Sequence, residues 1–272
     1  MSPLPPVITL ISRGLGAWLS FRRETVPGTA PIAFLEARGC AWQPLPSRPS
    51  GRGPDTIVPM PVYEDDALIL DHHPFKDRHL IVSALTRSHG VVRGVLRSAR
   101  GGKIPLAGSV QILSSVKMEF FRKPTAELAT IRRVDLIRSS FGLASDFARS
   151  TAAAVVAELL LTFCPPDEPD SRSFRLGDAA LAGLLAETDP DRVIAYVQFW
   201  VLQLGGLMPH PEGLDGSPTA DELAFIIACR RIPLADLDLA LPAGARKRLD
   251  AMVRNNAERP LRALDFYRAY GV

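Results

Sequence analysis

The triplet Asp71-His72-His73 is the first arrangement in the sequence that could carry chemistry, because carboxylate and imidazole groups bind catalytic divalent metals. A D-H-H triplet marks one superfamily of metal-dependent phosphoesterases, whose members need further acidic ligands in separate motifs. Only Asp65 and Asp66 lie nearby, and no D-x-D pattern accompanies them. We therefore expect no metal site here and keep a phosphoesterase as an alternative function.

Gly101-Gly102-Lys103 could cradle a phosphate, but it does not fit a nucleotide-binding Walker loop. Arg97 occupies the position of the first glycine, and Ile104 replaces the serine or threonine that would bind magnesium. The sequence also contains no G-x-S-x-G nucleophile elbow. These observations favour a binding protein without cofactor over an enzyme.

The cysteines argue against a disulfide framework and against a zinc site. Cys40, Cys164 and Cys229 are odd in number, far apart and outside any C-x-x-C pair. Reduced thiols are typical of the cytoplasm. No apolar run reaches membrane-spanning length, so we expect a cytoplasmic protein without a membrane contact.

Positive charge is concentrated in one part of the chain. Residues 86–138 hold eleven basic and three acidic residues, a net charge of +8, whereas the whole chain carries +3. This asymmetry is typical of a surface that contacts a phosphate backbone. A solvated strand face is the alternative interpretation. The predicted DNA-binding residues are Arg87, Arg93, Arg97, Arg100, Lys103, Lys117, Arg132 and Arg133.

Few aromatic side chains in this region could stack on bases. They are Tyr63, Phe75, Phe120 and Phe121, and the alternation around Phe120 predicts that its ring packs inside. We therefore expect the protein to bind the nucleic-acid backbone in a way that is independent of base sequence and sensitive to salt.

The elements that would position these residues fall into three parts. Residues 1–61 contain 11 of the 24 prolines and no lysine, which predicts a poorly ordered extension. Residues 62–139 contain five strand-like runs separated by turns, which predicts a small closed barrel of the OB-fold type. The strand-like runs are 67–70, 80–85, 91–97, 110–121 and 128–137.

From residue 140 to residue 272 the hydrophobic period becomes helical, so the fold class is α+β, a five-stranded barrel followed by an all-α domain. Asp189-Pro190 is a helix start, Gly205-Gly206 a helix end and Ser217-Pro218 another start. The predicted helices are 147–163, 174–187, 190–204, 218–229, 243–256 and 261–270.

Several short motifs resemble the RecO family of recombination mediators. The run from Ala67 to Arg78, the block Leu85-Thr86-Arg87-Ser88-His89-Gly90 and the segment Arg97-Ser98-Ala99-Arg100 are similar to that family's N-terminal barrel. Leu106 and Gly108, the helix end 202–205 and the tail 259–264 resemble later family motifs. The two C-x-x-C pairs of many family members are missing, and residues 1–61 have no counterpart.

The resemblance implies a non-enzymatic DNA repair protein. Members bind single- and double-stranded DNA, anneal complementary strands and assist RecA loading in recombinational repair, so a nucleoid-associated location is implied. The implied partners are RecR and the acidic, apolar tail of single-stranded DNA-binding protein. An adaptor that touches proteins but no DNA remains a further alternative.

An acidic, apolar tail needs an apolar groove with a cation at its rim. One helix face, formed by Tyr196, Phe199 and Trp200 with Arg192 or Arg175 nearby, is the predicted partner-binding site. The alternative is that these aromatic rings fill the helical core.

Overall fold

The computed structural model describes residues 61–76, 78–97, 110–123, 126–210 and 217–271, so the predicted extension lies almost entirely outside the described residues. Five strands close into a barrel in the order β1-β2-β3-β5-β4, which confirms the predicted barrel. Among the described strands, β3 and β5 pair in parallel and the other neighbours are antiparallel. The strands are β1 (Tyr63–Phe75), β2 (His79–Thr86), β3 (Gly90–Leu96), β4 (Ser115–Phe121) and β5 (Ala129–Arg138).

The first strand is much longer than the predicted run 67–70. Its second half, Asp71 to Phe75, pairs residue by residue with His79 to Ser83 and forms a protruding hairpin. The chain turns at Lys76, whose φ of 53° lies in the left-handed region. Cross-strand pairing therefore overrides the low strand propensity of the histidines and of Pro74.

The fourth strand is shorter than predicted and begins at Ser115 instead of at residue 110. Leu113 adopts a φ of 64°, which breaks the extended conformation before the strand. Its amide donates to the Ile69 carbonyl at 2.7 Å, so the turn is tied to β1.

Six α-helices follow the barrel in the described residues, as the helical periodicity predicts. Asp189 caps the third helix by accepting from the Asp191 amide, and Pro190 is its first residue. The start predicted at Ser217-Pro218 is wrong by two residues, because Thr219 supplies the N-cap. The helices are α1 (Phe147–Phe163), α2 (Ser171–Leu185), α3 (Pro190–Leu204), α4 (Ala220–Arg231), α5 (Ala243–Asn256) and α6 (Arg262–Tyr270).

Two hydrophobic clusters hold the described part together. One fills the barrel, with Ile69 and Val82 among its members. The other fills the helical part and includes Leu68, Leu70 and Leu85, which point outward from the barrel wall. Helices α1 and α2 accordingly pack on β1 and β2. Within the described ranges, no helix combines the length and apolar character that a membrane crossing needs.

Candidate nucleic-acid interface

The outer face of strands β1, β2 and β3 presents three cross-strand rows at the hairpin end of the barrel. Asp71, Ser83 and Arg93 form one row, because Asp71 pairs with Ser83 and Ser83 with Arg93. A second row runs through His73, Ile81 and Val95, and a third, shorter row contains Phe75 and His79. The neighbours Val82 and Ala84 point into the barrel, so alternation places these rows on the outside.

A bulge in β1 makes this arrangement possible. Ile69 pairs with Ala84 and Asp71 with Ser83, so Leu70 has no partner on β2. Leu70 and Asp71 therefore both face outward. Beyond this bulge, the odd-numbered residues of β1 face outward instead of inward. The first half of β1 packs against the helices, whereas its second half contributes the first residue of each of the three cross-strand rows.

Four cations on or next to these strands have no carboxylate partner among the residues that the structure describes. They are Lys76 and Arg78 at the hairpin turn and Arg93 and Arg97 on and after β3, and all four are exposed. Exposed guanidinium and ammonium groups that form no ion pair are well suited to displace counterions from phosphates. We call these four residues the hairpin patch.

Sequence reasoning identified Arg93 and Arg97 but missed Lys76 and Arg78. The first strand is predicted to end at Leu70 and to run into a hairpin, whereas β1 continues to Phe75. The signal that could have found them is two cations within three residues, directly before an apolar run.

The cations on the wall of β4 and β5 are paired. The Lys117 Nζ lies 3.4 Å from Glu64, and an Arg132 guanidinium nitrogen lies 3.7 Å from Glu119. The Arg133 Nε donates to Asp135 at 2.6 Å. Three predicted DNA-binding cations are therefore balanced by three carboxylates on neighbouring strand positions.

A second bulge sets this pairing. Glu119 pairs with Arg133 and Phe120 with Ile131, so Arg132 is inserted between them and both arginines face solvent. Phe120 packs inside, as predicted. The Arg132 guanidinium lies over the ring of Phe121, 4.8 Å from its centroid. The hydrogen bond to Asp135 and that carboxylate's charge raise the pKa of Arg133.

The remaining predicted DNA-binding residues are elsewhere or outside the description. Arg87 follows β2, 3.5 Å from Asp66, and its guanidinium lies 5.0 Å from the ring centroid of Phe174 on α2. Arg87 is thus engaged with the helical part. Arg100 and Lys103, together with Gly101-Gly102, lie outside the described residues.

The Asp71-His72-His73 triplet lies within β1 instead of at its end. The Asp71 carboxylate and the His73 Nε2 are 2.8 Å apart, so these two side chains satisfy each other. Asp65 is turned toward the start of β3, where it accepts from the Ser88 amide at 2.8 Å. Within the described ranges, no three histidine, cysteine or acidic side chains converge as a metal site.

The predicted partner-binding residues sit on α3, where Tyr196 and Phe199 are buried. The Nε1 of Trp200, a partly buried residue, donates to the Cys229 carbonyl at 3.1 Å. Arg192 donates to the Leu237 carbonyl at 2.7 Å. Burial raises the pKa of Tyr196. These placements favour the interpretation that the rings fill the helical core.

The geometry supports non-covalent binding of an anionic polymer. Strands β1 to β3 carry cations that form no ion pair with the described residues, and the face of the second and third strands is the ligand-binding region of many OB-folds. Exposed arginines at the ends of adjacent strands can contact successive phosphates of one chain.

Two family models match the chain over 150 residues. The model described as Recombination protein O N terminal matches residues 60–140, and the one described as Recombination protein O C terminal matches residues 144–212. The first match covers the barrel and the second covers α1 to α3. Together they span more than half of the chain.

Curated bacterial proteins show the same similarity. Each of the following relatives is named DNA repair protein RecO. The Koribacter versatilis protein is 27% identical over 149 residues, covering 54% of this chain and 59% of the relative. The Bacillus subtilis protein is 31% identical over 163 residues, covering 56% and 61%. The Salinibacter ruber protein is 24% identical over 219 residues, covering 70% and 84%. The chain thus spans about three fifths of the first two relatives.

Proposed function

This chain belongs to the RecO family, and from that premise we propose that it is a DNA repair protein that binds DNA strands through the hairpin patch of its barrel. The observation that carries the proposal is the contrast in pairing around the barrel. Lys76, Arg78, Arg93 and Arg97 have no carboxylate partner among the described residues, whereas the cations on β4 and β5 do. Phosphates would supply the missing negative charge.

The mode of binding follows from the chemistry of these side chains. Arginine and lysine contact phosphates in either single- or double-stranded DNA, and such contacts carry no base specificity. A protein that holds two strands through their backbones leaves the bases free to pair. We propose that this is how the chain anneals complementary strands, without ATP and without a cofactor, in recombinational repair.

The partners proposed from family membership are RecR, the tail of single-stranded DNA-binding protein and, indirectly, RecA. An acidic, apolar tail requires apolar surface beside a free cation. A cavity of about 400 Å³ next to Phe199 offers both, since Ile226 and Ile227 line it together with Arg230 and Arg231. This cavity is a more accessible docking site than the buried face of Tyr196 and Phe199.

The experiment that tests DNA binding combines charge reversal with a salt series. We expect Arg93→Glu with Arg97→Glu to weaken binding of a single-stranded oligonucleotide by about tenfold or more at low salt. The slope of log affinity against log salt should become shallower by about 1.4, because about 0.7 is lost per phosphate contact.

The matched control is Lys247→Glu with Arg254→Glu, which removes the same charge from α5 in the helical part. This control should bind the oligonucleotide like the unaltered chain. If the β3 double variant keeps its fold and still binds with the original affinity and salt slope, the proposed function is wrong. Annealing of complementary oligonucleotides should proceed without ATP, and an absolute requirement for ATP would contradict the proposal.

A further inference from the structure

A cavity of about 500 Å³ lies where β1 meets α1 and the segment before α6. Its apolar wall is formed by Leu70, Ile112 and Leu161, and its other side carries Arg259 and Arg262. It therefore combines an apolar surface with two cations from a part of the chain remote from the barrel strands.

The carboxylates inside the cavity already have partners. The Glu158 carboxylate accepts from the Ala263 amide at 3.0 and 3.1 Å. The Asp71 carboxylate faces the His73 imidazole. Neither carboxylate forms an ion pair with Arg259 or Arg262 within the part of the chain that the structure describes.

The two arginines remain available to an external anion. The Arg259 Nε donates to the neutral Thr162 hydroxyl at 3.1 Å, which orients the guanidinium without neutralising it. Arg262 has no ion pair among the described residues. Both residues are exposed.

This cavity shares two lining residues with the outer face that carries Arg93. Asp71 and His73 line the cavity, and each begins a cross-strand row that ends on β3, at Arg93 and Val95 respectively. Crossing from β1 to β3 takes two interstrand spacings, about 10 Å.

We propose that Arg259 and Arg262 bind phosphates of the same single DNA strand that lies on the outer face of β1 to β3, with one nucleotide seated in this cavity. The inference rests on the proposed function and extends the DNA site from the barrel to the C-terminal segment. The apolar wall accommodates the base and sugar, while the arginines contact the flanking phosphates. An isolated acidic peptide would use the same arginines but would have no reason to continue to Arg93 and Arg97, so the shared lining residues favour a polyanion.

The test uses the full chain and a fluorescently labelled oligothymidine in a salt series. Arg259→Glu with Arg262→Glu should weaken binding by about tenfold and make the salt slope shallower by about 1.4, the value for two phosphates of a single strand. Lys247→Glu with Arg254→Glu is again the charge-matched control and should leave binding unchanged. If the control loses as much as the test variant, net charge explains the loss and the inference is wrong.

The outcomes separate this inference from the proposed function. If the Arg93 and Arg97 double variant loses binding while the Arg259 and Arg262 variant does not, the DNA site is confined to the barrel and the inference fails alone. If the unaltered chain does not bind DNA at all, the proposed function fails. A short aspartate-rich peptide with an apolar end serves as a third arm. Peptide binding lost in the Arg259 and Arg262 variant, with DNA affinity retained, would show a peptide site and overturn the inference.

A measurement on the unaltered chain covers the case in which the variant does not fold. Phenylglyoxal modifies accessible arginines, and mass spectrometry locates each modified position. Oligothymidine should protect Arg259 and Arg262 together with Arg93 and Arg97, and leave Arg254 reactive. Equal modification of Arg259 and Arg262 with and without oligothymidine would overturn the inference.

Discussion

The side-chain carboxylate of Glu158 on α1 accepts a hydrogen bond from the backbone amide of Ala263, 105 residues later, at 3.0 and 3.1 Å. It also accepts from the Leu264 amide at 3.2 Å. These amides belong to the first turn of α6, where no carbonyl of the helix itself can accept from them. A carboxylate at this position also interacts favourably with the positive end of the helix dipole.

We expect Glu158→Ala to destabilise the described part of the chain by about 1–3 kcal/mol, because two partly buried amides lose their acceptor. Glu158→Gln should cost less, since it keeps one carbonyl acceptor. Urea unfolding followed by circular dichroism measures the change. Glu187→Ala, an exposed carboxylate on a turn, is the control and should change the free energy of unfolding by less than about 0.5 kcal/mol. If the amides of residues 263 and 264 exchange hydrogen equally fast in Glu158→Ala and in the unaltered chain, the capping role is refuted.

Glu158 also shows why sequence alone could predict only part of this molecule. In the sequence it merely interrupts an apolar run, because its partners are distant along the chain. The cap at Asp189-Pro190, in contrast, is formed by adjacent residues and was predicted correctly. Helix bounds set by local signals can therefore be predicted, whereas contacts between remote segments cannot.

In the candidate site, too, some features can be predicted from local sequence and others depend on contacts between remote segments. The excess of positive charge could be counted in the sequence, but its neutralisation depends on strand register. Glu119 comes within reach of Arg132 only through the pairing of β4 with β5, which contains a bulge at this point. The bulge in β1 likewise decides that Asp71 shares a row with Arg93. A one-residue change in register would alter both the contacts between β4 and β5 and the row through Asp71 and Arg93. No local sequence pattern specifies these bulges.

Gly90 and Gly206 provide a matched pair that separates backbone strain from steric clash. Their φ values are 67° and 68°, so alanine is strained at both positions by about 1–2 kcal/mol. A Cβ on Gly90 would lie 2.4 Å from the Glu168 carbonyl oxygen, whereas a Cβ on Gly206 would meet nothing within 4 Å. Gly90→Ala should therefore cost more than Gly206→Ala by about 1–3 kcal/mol, the usual effect of forced overpacking. Equal losses in urea unfolding would show that the segment at Glu168 moves away freely.

The two cysteines in the described part should be poorly reactive at neutral pH. Burial raises the pKa of the Cys229 thiol to about 12 and of the Cys164 thiol to about 11, although a hydrogen bond with Ser173 offsets part of the effect at Cys164. Since only the thiolate is alkylated, iodoacetamide at pH 8 should label Cys229 about a thousandfold and Cys164 about a hundredfold more slowly than a free thiol. Peptide mass spectrometry measures both rates, and labelling at the rate of the urea-unfolded chain would contradict the prediction.

The same pKa values predict how stability changes in alkaline solution. Both folded-state values lie above the ordinary 9.0, so the folded chain holds its thiol protons more tightly than the unfolded chain. Stability from this source is fully present below pH 9 and is lost as the pH rises toward 11 and 12. Cys229→Ala should reduce the fall in unfolding free energy between pH 8 and pH 10. An unchanged fall would show that other groups cause it.

The paired cations on β4 and β5 should become DNA ligands when their carboxylates are neutralised. Glu119 forms an ion pair with Arg132 and Asp135 with Arg133, and both arginines are exposed. Exposed ion pairs contribute little to stability, so Glu119→Gln with Asp135→Asn should unfold within about 1 kcal/mol of the unaltered chain. The variant should bind single-stranded oligonucleotide about two- to fivefold more tightly at low salt, with a steeper salt slope, because two additional phosphate contacts become possible.

The control for this gain is Glu187→Gln with Asp238→Asn, which neutralises two exposed carboxylates in the helical part that pair with Arg149 and Arg192. The control has the same net charge as the β4 and β5 variant, so long-range attraction of DNA is matched between them. A larger gain in affinity for the barrel variant places Arg132 and Arg133 beside the bound strand. Equal gains would mean that this wall does not contact DNA and that the hairpin patch acts without it.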